Sequence, residues 1–356
     1  MQLKLFNPGT DMEYMQYQQY YWNGFLEEGI ELLAAPIPSF KSRLARKMIH
    51  QSRAGHIVKR LRPRLKEKYS RYHMFVGQYE LTDGHRTVRF AIDSSDSPEI
   101  ASPDAVKWAS VYFKTNYQRG FAKANNIVPL INGNGSLTSK DIEILKNLRN
   151  KKKKYDYCYI TRALGGYGGN NRAHVVRMAE EISKISVRSK VIIVFPKMRR
   201  ETAEIVKLKN RLKSAGVKIV DNGGQVDRVQ LWTAMACSRF VVLREGKHSC
   251  ASWRVIDAMC MGANIILEQD LKPEWVPKLI KGQHYRSLEL FRQPDGSFSE
   301  KAYSNASQLL LEWLPDLSAG GVNQLNVQYF EEHAAPDGIA KYILRTLLGV
   351  DGSLGR

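Results

Sequence analysis

Phe240-Val241-Val242-Leu243 leads into Arg244-Glu245-Gly246-Lys247-His248-Ser249-Cys250-Ala251-Ser252-Trp253, then Arg254-Val255-Ile256-Asp257-Ala258-Met259-Cys260-Met261-Gly262, then Ala263-Asn264-Ile265-Ile266-Leu267. The order is an apolar run, a loop of small polar residues, a helix start and a second apolar run. Short apolar runs bounded by turn residues suit strands buried on both faces, and a helix joining two of them implies a parallel pair. The same alternation continues outward. Strands are expected over 155–161, 190–195, 217–220, 239–243 and 263–267 with helices between them, so this half of the chain is an α/β unit with a parallel sheet.

Open parallel sheets bind ligands beyond the carboxyl ends of their strands. The loop after the first strand runs from Arg162 to Asn171, and its Gly165, Gly166, Gly168 and Gly169 let the backbone come close to a ligand. A helix starting near Arg172 turns unpaired N–H groups toward an anion. This is no dinucleotide fingerprint: the final glycine is missing, and the next strand ends in Pro196-Lys197 where a ribose-binding acid is wanted. After the fourth strand, Ser249, Ser252 and the helix start suit a diphosphate, with Arg254 as a planar double donor. Asp257, three residues on, either accepts from ribose hydroxyls or pairs with Arg254. His248 and His174 are placed near phosphate by the same loops.

The 356 residues suit two domains, and the tetralysine Lys151-Lys152-Lys153-Lys154 is the natural boundary, giving units 1–150 and 151–356 with the last helix expected to cross back. The first unit mixes helices with strands near 74–81 and 87–92. Its segment 41–71 is amphipathic and holds 12 basic residues against one acid, more than half of the chain's net charge of +19. No apolar run approaches the roughly 20 residues of a membrane span, and the four cysteines lack metal-ligand spacing. The expected location is cytoplasmic, peripheral at the inner face of a membrane that 41–71 would contact through its anionic lipids.

From Ala236-Cys237-Ser238 through Phe240-Val241-Val242-Leu243, Gly246 and Ser252-Trp253-Arg254-Val255-Ile256-Asp257-Ala258-Met259 to Gly262, the chain resembles the donor-binding core of exostosin-like glycosyltransferases. The match departs at Asn264-Ile265, where that family usually has a proline, and residues 1–150 carry no family motif. The resemblance implies a GT-B type fold, two Rossmann-like domains facing across a cleft, and transfer of a hexosyl or related sugar from a nucleotide sugar to a glycan or lipid-linked acceptor. It implies that Ser252 and Arg254 contact the donor diphosphate and Asp257 the ribose or sugar. Gly165 to Asn171 would line the cleft, with Arg162, Arg172, Lys197, His248 and Ser249 completing the donor side.

No Asp-x-Asp triplet occurs, so transfer without a metal or other cofactor is expected, cations and helix dipoles stabilising the leaving diphosphate. An inverting transfer needs a base, and Asp93 and Asp96 at a strand end are the candidates. The alternative is a nucleic-acid-binding protein using 41–71, disfavoured because no nucleic-acid module is recognisable. An epimerase would need the absent cofactor fingerprint. P-loop, Gly-x-Ser-x-Gly and His-Glu-x-x-His motifs are also lacking.

Overall fold

A computed structural model describes residues 1–5, 12–33, 75–121, 124–163, 171–196, 201–221, 226–246, 249–291, 293 and 297–349. The basic segment 41–71, Gly165, Gly166, Gly168, Gly169, Lys197 and His248 lie outside them. Twelve strands form two six-stranded sheets among the described residues.

The first sheet contains β1 (Gln2–Leu5), β2 (Glu31–Leu33), β3 (Val76–Thr82), β4 (Thr87–Asp93), β5 (Val111–Lys114) and β6 (Ile127–Pro129), in the order β2-β1-β3-β4-β5-β6. It is mixed: β3 runs antiparallel to β1 and β4, while β4, β5 and β6 are parallel. Its helices are α1 (Met12–Glu27), α2 (Pro103–Trp108) and α3 (Ser139–Asn147). Helix α1 stops at Glu27: Gly29 turns left-handed at φ 71°, and Glu31 to Leu33 pair in parallel with β1. A glycine reaches that conformation without a Cβ penalty, which makes it a natural stop. Thr138 and Asp141 form a capping box that starts α3.

The second sheet contains β7 (Tyr155–Arg162), β8 (Lys190–Val194), β9 (Lys218–Val220), β10 (Ser238–Leu243), β11 (Asn264–Leu267) and β12 (Tyr285–Ser287), all parallel, in the order β12-β11-β10-β7-β8-β9. Side chains alternate between its faces as the pleat requires. Cys158, Ile160, Val241 and Leu243 face α6 (Arg228–Ala236) and α7 (Arg254–Cys260), while Tyr157, Tyr159, Phe240 and Val242 face α4 (Asn171–Ile185), α5 (Ala203–Ser214) and α8 (Glu300–Trp313). The order reverses between β7 and β10, which opens a crevice at their carboxyl ends.

The closing helices are α9 (Gln324–Tyr329) and α10 (Pro336–Leu348). Helix α10 lies on α1 so closely that a Cβ on Gly24 would sit 1.9 Å from the Pro336 carbonyl oxygen. Tyr20 donates to the Ala334 carbonyl at 2.8 Å, and Tyr342 to that of Pro129 at 3.2 Å. One apolar core therefore runs from Leu3 to Leu347, through both sheets. The fold is α/β with one mixed and one parallel sheet, its two units meeting where the parallel strands of both sheets end. No helix among the described residues is long and apolar enough to cross a membrane.

Candidate functional site

The meeting of the two units is built from loops that follow strands. On the first unit these are 94–97 after β4, 115–121 after β5 and 130–137 after β6; on the second, 244–246 and 249–253 after β10 and 268–276 after β11. Asn132 donates to the Ala251 carbonyl at 3.2 Å, and the Glu274 N–H donates to that of Tyr117 at 2.8 Å. The Cys250 thiol donates to the Asp96 carboxylate. Burial, the largest cause, together with Asp96 pushes that thiol well above its ordinary range, so it is a donor and no nucleophile.

At the carboxyl end of β7 three arginines gather. Arg162 is the last residue of the strand, Arg172 reaches back to the Ala163 carbonyl at 3.4 Å, and Arg254 bonds the Ile160 carbonyl. Burial holds the Arg254 guanidinium below its ordinary value, and the like charge of Arg162 adds to the effect. Two of these cations are turned on backbone carbonyls and the third, exposed Arg162, lies near enough to oppose Arg254; cations gathered at one strand end beside the switch point suit an anion with several oxygens. Ser252 lies alongside, its hydroxyl 3.4 Å from the Arg254 N–H. Ser249 is left-handed at φ 59°, a strained conformation for a residue with a side chain, and its hydroxyl accepts from Lys272 at 3.1 Å.

Comparisons with known proteins bear on this geometry to a limited degree. The sequence matches no known family and no curated protein. Among solved structures the chain is similar to Anabaena HepE in complex with UDP and glucose, at 14% identity over 68% of this chain and 64% of that one, with a TM-score of 0.43. It is similar also to a glycosyltransferase from Rickettsia africae, at 12% identity over 92% and 87% with a TM-score of 0.41. A third similarity is to WaaG, a glycosyltransferase involved in lipopolysaccharide biosynthesis, at 10% identity over 97% and 98% with a TM-score of 0.42. The chain thus spans less than two thirds of the length of HepE. Identities this low leave the chemistry to the residues of the chain itself.

The expected roles of Asp257 and Asp93 give way. Asp257 is buried at 4% exposure and does not reach the crevice; its oxygens accept from Asn134 of the first unit at 2.8 Å and from Trp232 at 3.0 Å. Burial raises its carboxyl above the ordinary value, and it ties the units together where a ribose contact was expected. The alternative Arg254–Asp257 ion pair does not form either, because Arg254 turns to β7. Asp93 is fully buried. Its carboxylate accepts from the Ser95 N–H at 2.9 Å, the Ala101 N–H at 3.2 Å and the Tyr112 hydroxyl at 2.7 Å, with Lys114 at 3.4 Å. A closed carboxylate with four partners has no path to an acceptor hydroxyl. Asp96 is half-buried and lies against the Cys250 loop.

Sequence reasoning also missed a buried hub beneath the crevice. Glu268, directly after β11, accepts from Tyr159 at 2.8 Å and from Arg244, directly after β10, at 3.2 Å. His174 lies 2.9 Å from the same carboxylate and 3.0 Å from the Tyr303 hydroxyl, with Phe298 stacked 4.1 Å from its ring. Both ring nitrogens are engaged and the side chain is 2% exposed, so His174 is not open to a phosphate as expected. Burial alone would raise Glu268, but the facing His174 and Arg244 outweigh it and hold the carboxyl down at about 2. Among the described residues no group of three or more His, Cys, Asp or Glu side chains is gathered for a metal.

Proposed function

We propose that this chain is a glycosyltransferase that moves a sugar from a nucleotide-sugar donor to a glycan or lipid-linked acceptor without a metal. The observation that carries the reading is the convergence of Arg162, Arg172 and Arg254 on the end of β7, beside the switch point. A leaving nucleoside diphosphate develops charge on oxygens, and fixed guanidinium groups at a closed strand end stabilise it without reorganising. Ser249 and Ser252 add hydroxyl partners. Gly165, Gly166, Gly168, Gly169, Lys197 and His248 complete the donor side on the sequence pattern alone, within a donor unit 151–356.

Asp96 is the general base, taking the proton of an acceptor hydroxyl that enters from unit 1–150. It replaces Asp93 in that role. The segment 41–71 draws the protein to an anionic membrane surface on the cytoplasmic side, where a lipid-linked acceptor would sit. The exostosin-like motif from Ala236 to Gly262 supports the donor assignment.

The test is calorimetric titration and thermal shift with UDP, GDP, ADP and UDP-glucose. One nucleotide at 100 times its dissociation constant adds roughly 2.7 kcal/mol of stability, and Arg254→Ala lowers that gain by at least about half. A chain whose melting ignores all four, or whose Arg254→Ala variant binds as tightly as the parent, does not hold a diphosphate there.

A further inference from the structure

Asp93 and Lys114 are both fully buried, and they are the register partners that end β4 and β5. Burying two charges is costly, and a well-packed apolar pair is often as stable or better. The arrangement around them shows what the charges accomplish. The Lys114 ammonium donates to the Ser95 carbonyl at 3.0 Å and to the Ser95 hydroxyl at 3.1 Å, while Asp93 takes the Ser95 N–H at 2.9 Å. Ser95 is thus gripped at its N–H, its carbonyl and its side chain.

The next residue is Asp96, whose own carbonyl accepts from the Asn116 amide two positions beyond Lys114. On its far side the Asp96 carboxylate receives the Cys250 thiol of the second unit. That thiol is seated over Gly246, where a Cβ would come within 2.4 Å of the sulfur, and the Gly246 N–H bonds the Cys250 carbonyl at 2.8 Å. Only glycine leaves room for the thiol at that spot.

We infer that the Asp93–Lys114 pair, with Asn116, is a positioning device that pins the 93–96 turn and sets Asp96 against the donor loop. The inference rests on the reading of Asp96 as the general base. Asp93 and Lys114 touch no substrate; they act by fixing the backbone of Ser95 and Asp96. An apolar pair would fill the same space and leave the Ser95 backbone unheld.

Lys114→Met alone would strand a closed carboxylate and unfold the sheet end, so the test uses Asp93→Asn/Lys114→Met, which removes both charges at similar volume, and separately Asn116→Ala. Iodoacetamide labelling with peptide mapping reads the turn without any substrate. Cys250 should label at least tenfold faster in both variants, while Cys158, Cys237 and Cys260, buried away from the turn, keep their protection. Turnover of the donor selected from the nucleotide-sugar panel should fall at least tenfold with its KM within twofold of the parent. Cys250 as protected as in the parent, or all four cysteines labelling together, overturns the inference, as does unchanged kcat once Cys250 is exposed. Failure of the glycosyltransferase reading shows separately, as a parent protein that binds none of the nucleotides while the labelling pattern holds.

Discussion

Glu268→Gln keeps the side chain's shape and removes its charge, which makes it a direct probe of the hub under the crevice. In the parent, two oxygens serve Tyr159 at 2.8 Å, His174 at 2.9 Å and Arg244 at 3.2 Å, at 3% side-chain exposure for Glu268 and 11% for Arg244. A glutamine offers one oxygen and turns an NH2 group toward a donor, leaving the Arg244 cation without its partner. Breaking a buried pair from one side costs about 3–5 kcal/mol. The titration points the same way: a carboxyl held at about 2 rather than its ordinary 4.5 contributes roughly 3 kcal/mol at neutral pH. Because the folded value is depressed, this contribution is complete above about pH 4.5 and is lost as pH falls toward 2. The variant should therefore be about 3 kcal/mol less stable than the parent at pH 7 in urea titrations, and the gap should close progressively between pH 4.5 and 2. A gap below about 1 kcal/mol at pH 7, or one that stays constant on acidification, would show that Glu268 is not the electrostatic centre of the cluster.

Arg254→Ala should weaken nucleoside diphosphate binding by about 1.5–3 kcal/mol, read by calorimetry, with the loss confined to ligands that carry phosphate. Asp96→Asn should lower kcat by about 10²-fold while donor affinity holds, and full activity in that variant would place the base elsewhere. Gly24→Ala drives a methyl against the Pro336 carbonyl and should cost at least about 1–3 kcal/mol, visible as a lowered Tm. Flotation with anionic and neutral liposomes tests 41–71: binding to anionic vesicles should weaken as salt shortens the Debye length toward about 8 Å, and equal binding to both kinds would count against a membrane role.

Most of the second sheet was readable because β7, β8 and β10 are apolar on both faces and each leads into a helix, so period and length agree. The strands β1, β2, β5, β6 and β12 are three or four residues long. At that length propensity carries almost no signal and the sheet itself decides. Arg254 and Asp257 share a helix face, as their spacing requires, but spacing does not say that one partner is a β7 carbonyl and the other Asn134, 123 positions away in the chain. The Glu268 hub draws on five separate parts of the chain, which no local pattern reveals. A signal did exist: Arg244 and Glu268 are each the first charged residue after an apolar strand, at the carboxyl edge where ligands are sought.

The seat of α10 on α1 also governs the order in which the chain can fold during synthesis. Domains usually fold as units in the order they leave the ribosome. Here Tyr20, Tyr21 and Phe25 belong to a core that includes Ile339, Ala340 and Ile343, so the core around α1 cannot close until α10 has been made. While the second sheet assembles, the aromatic face of α1 stands open, a stretch of time in which a chaperone or a wrong partner competes with residues not yet translated. A stop codon shortly before Pro336 would consequently damage the unit at the opposite end of the chain, while β7 to β12 lie wholly upstream of it.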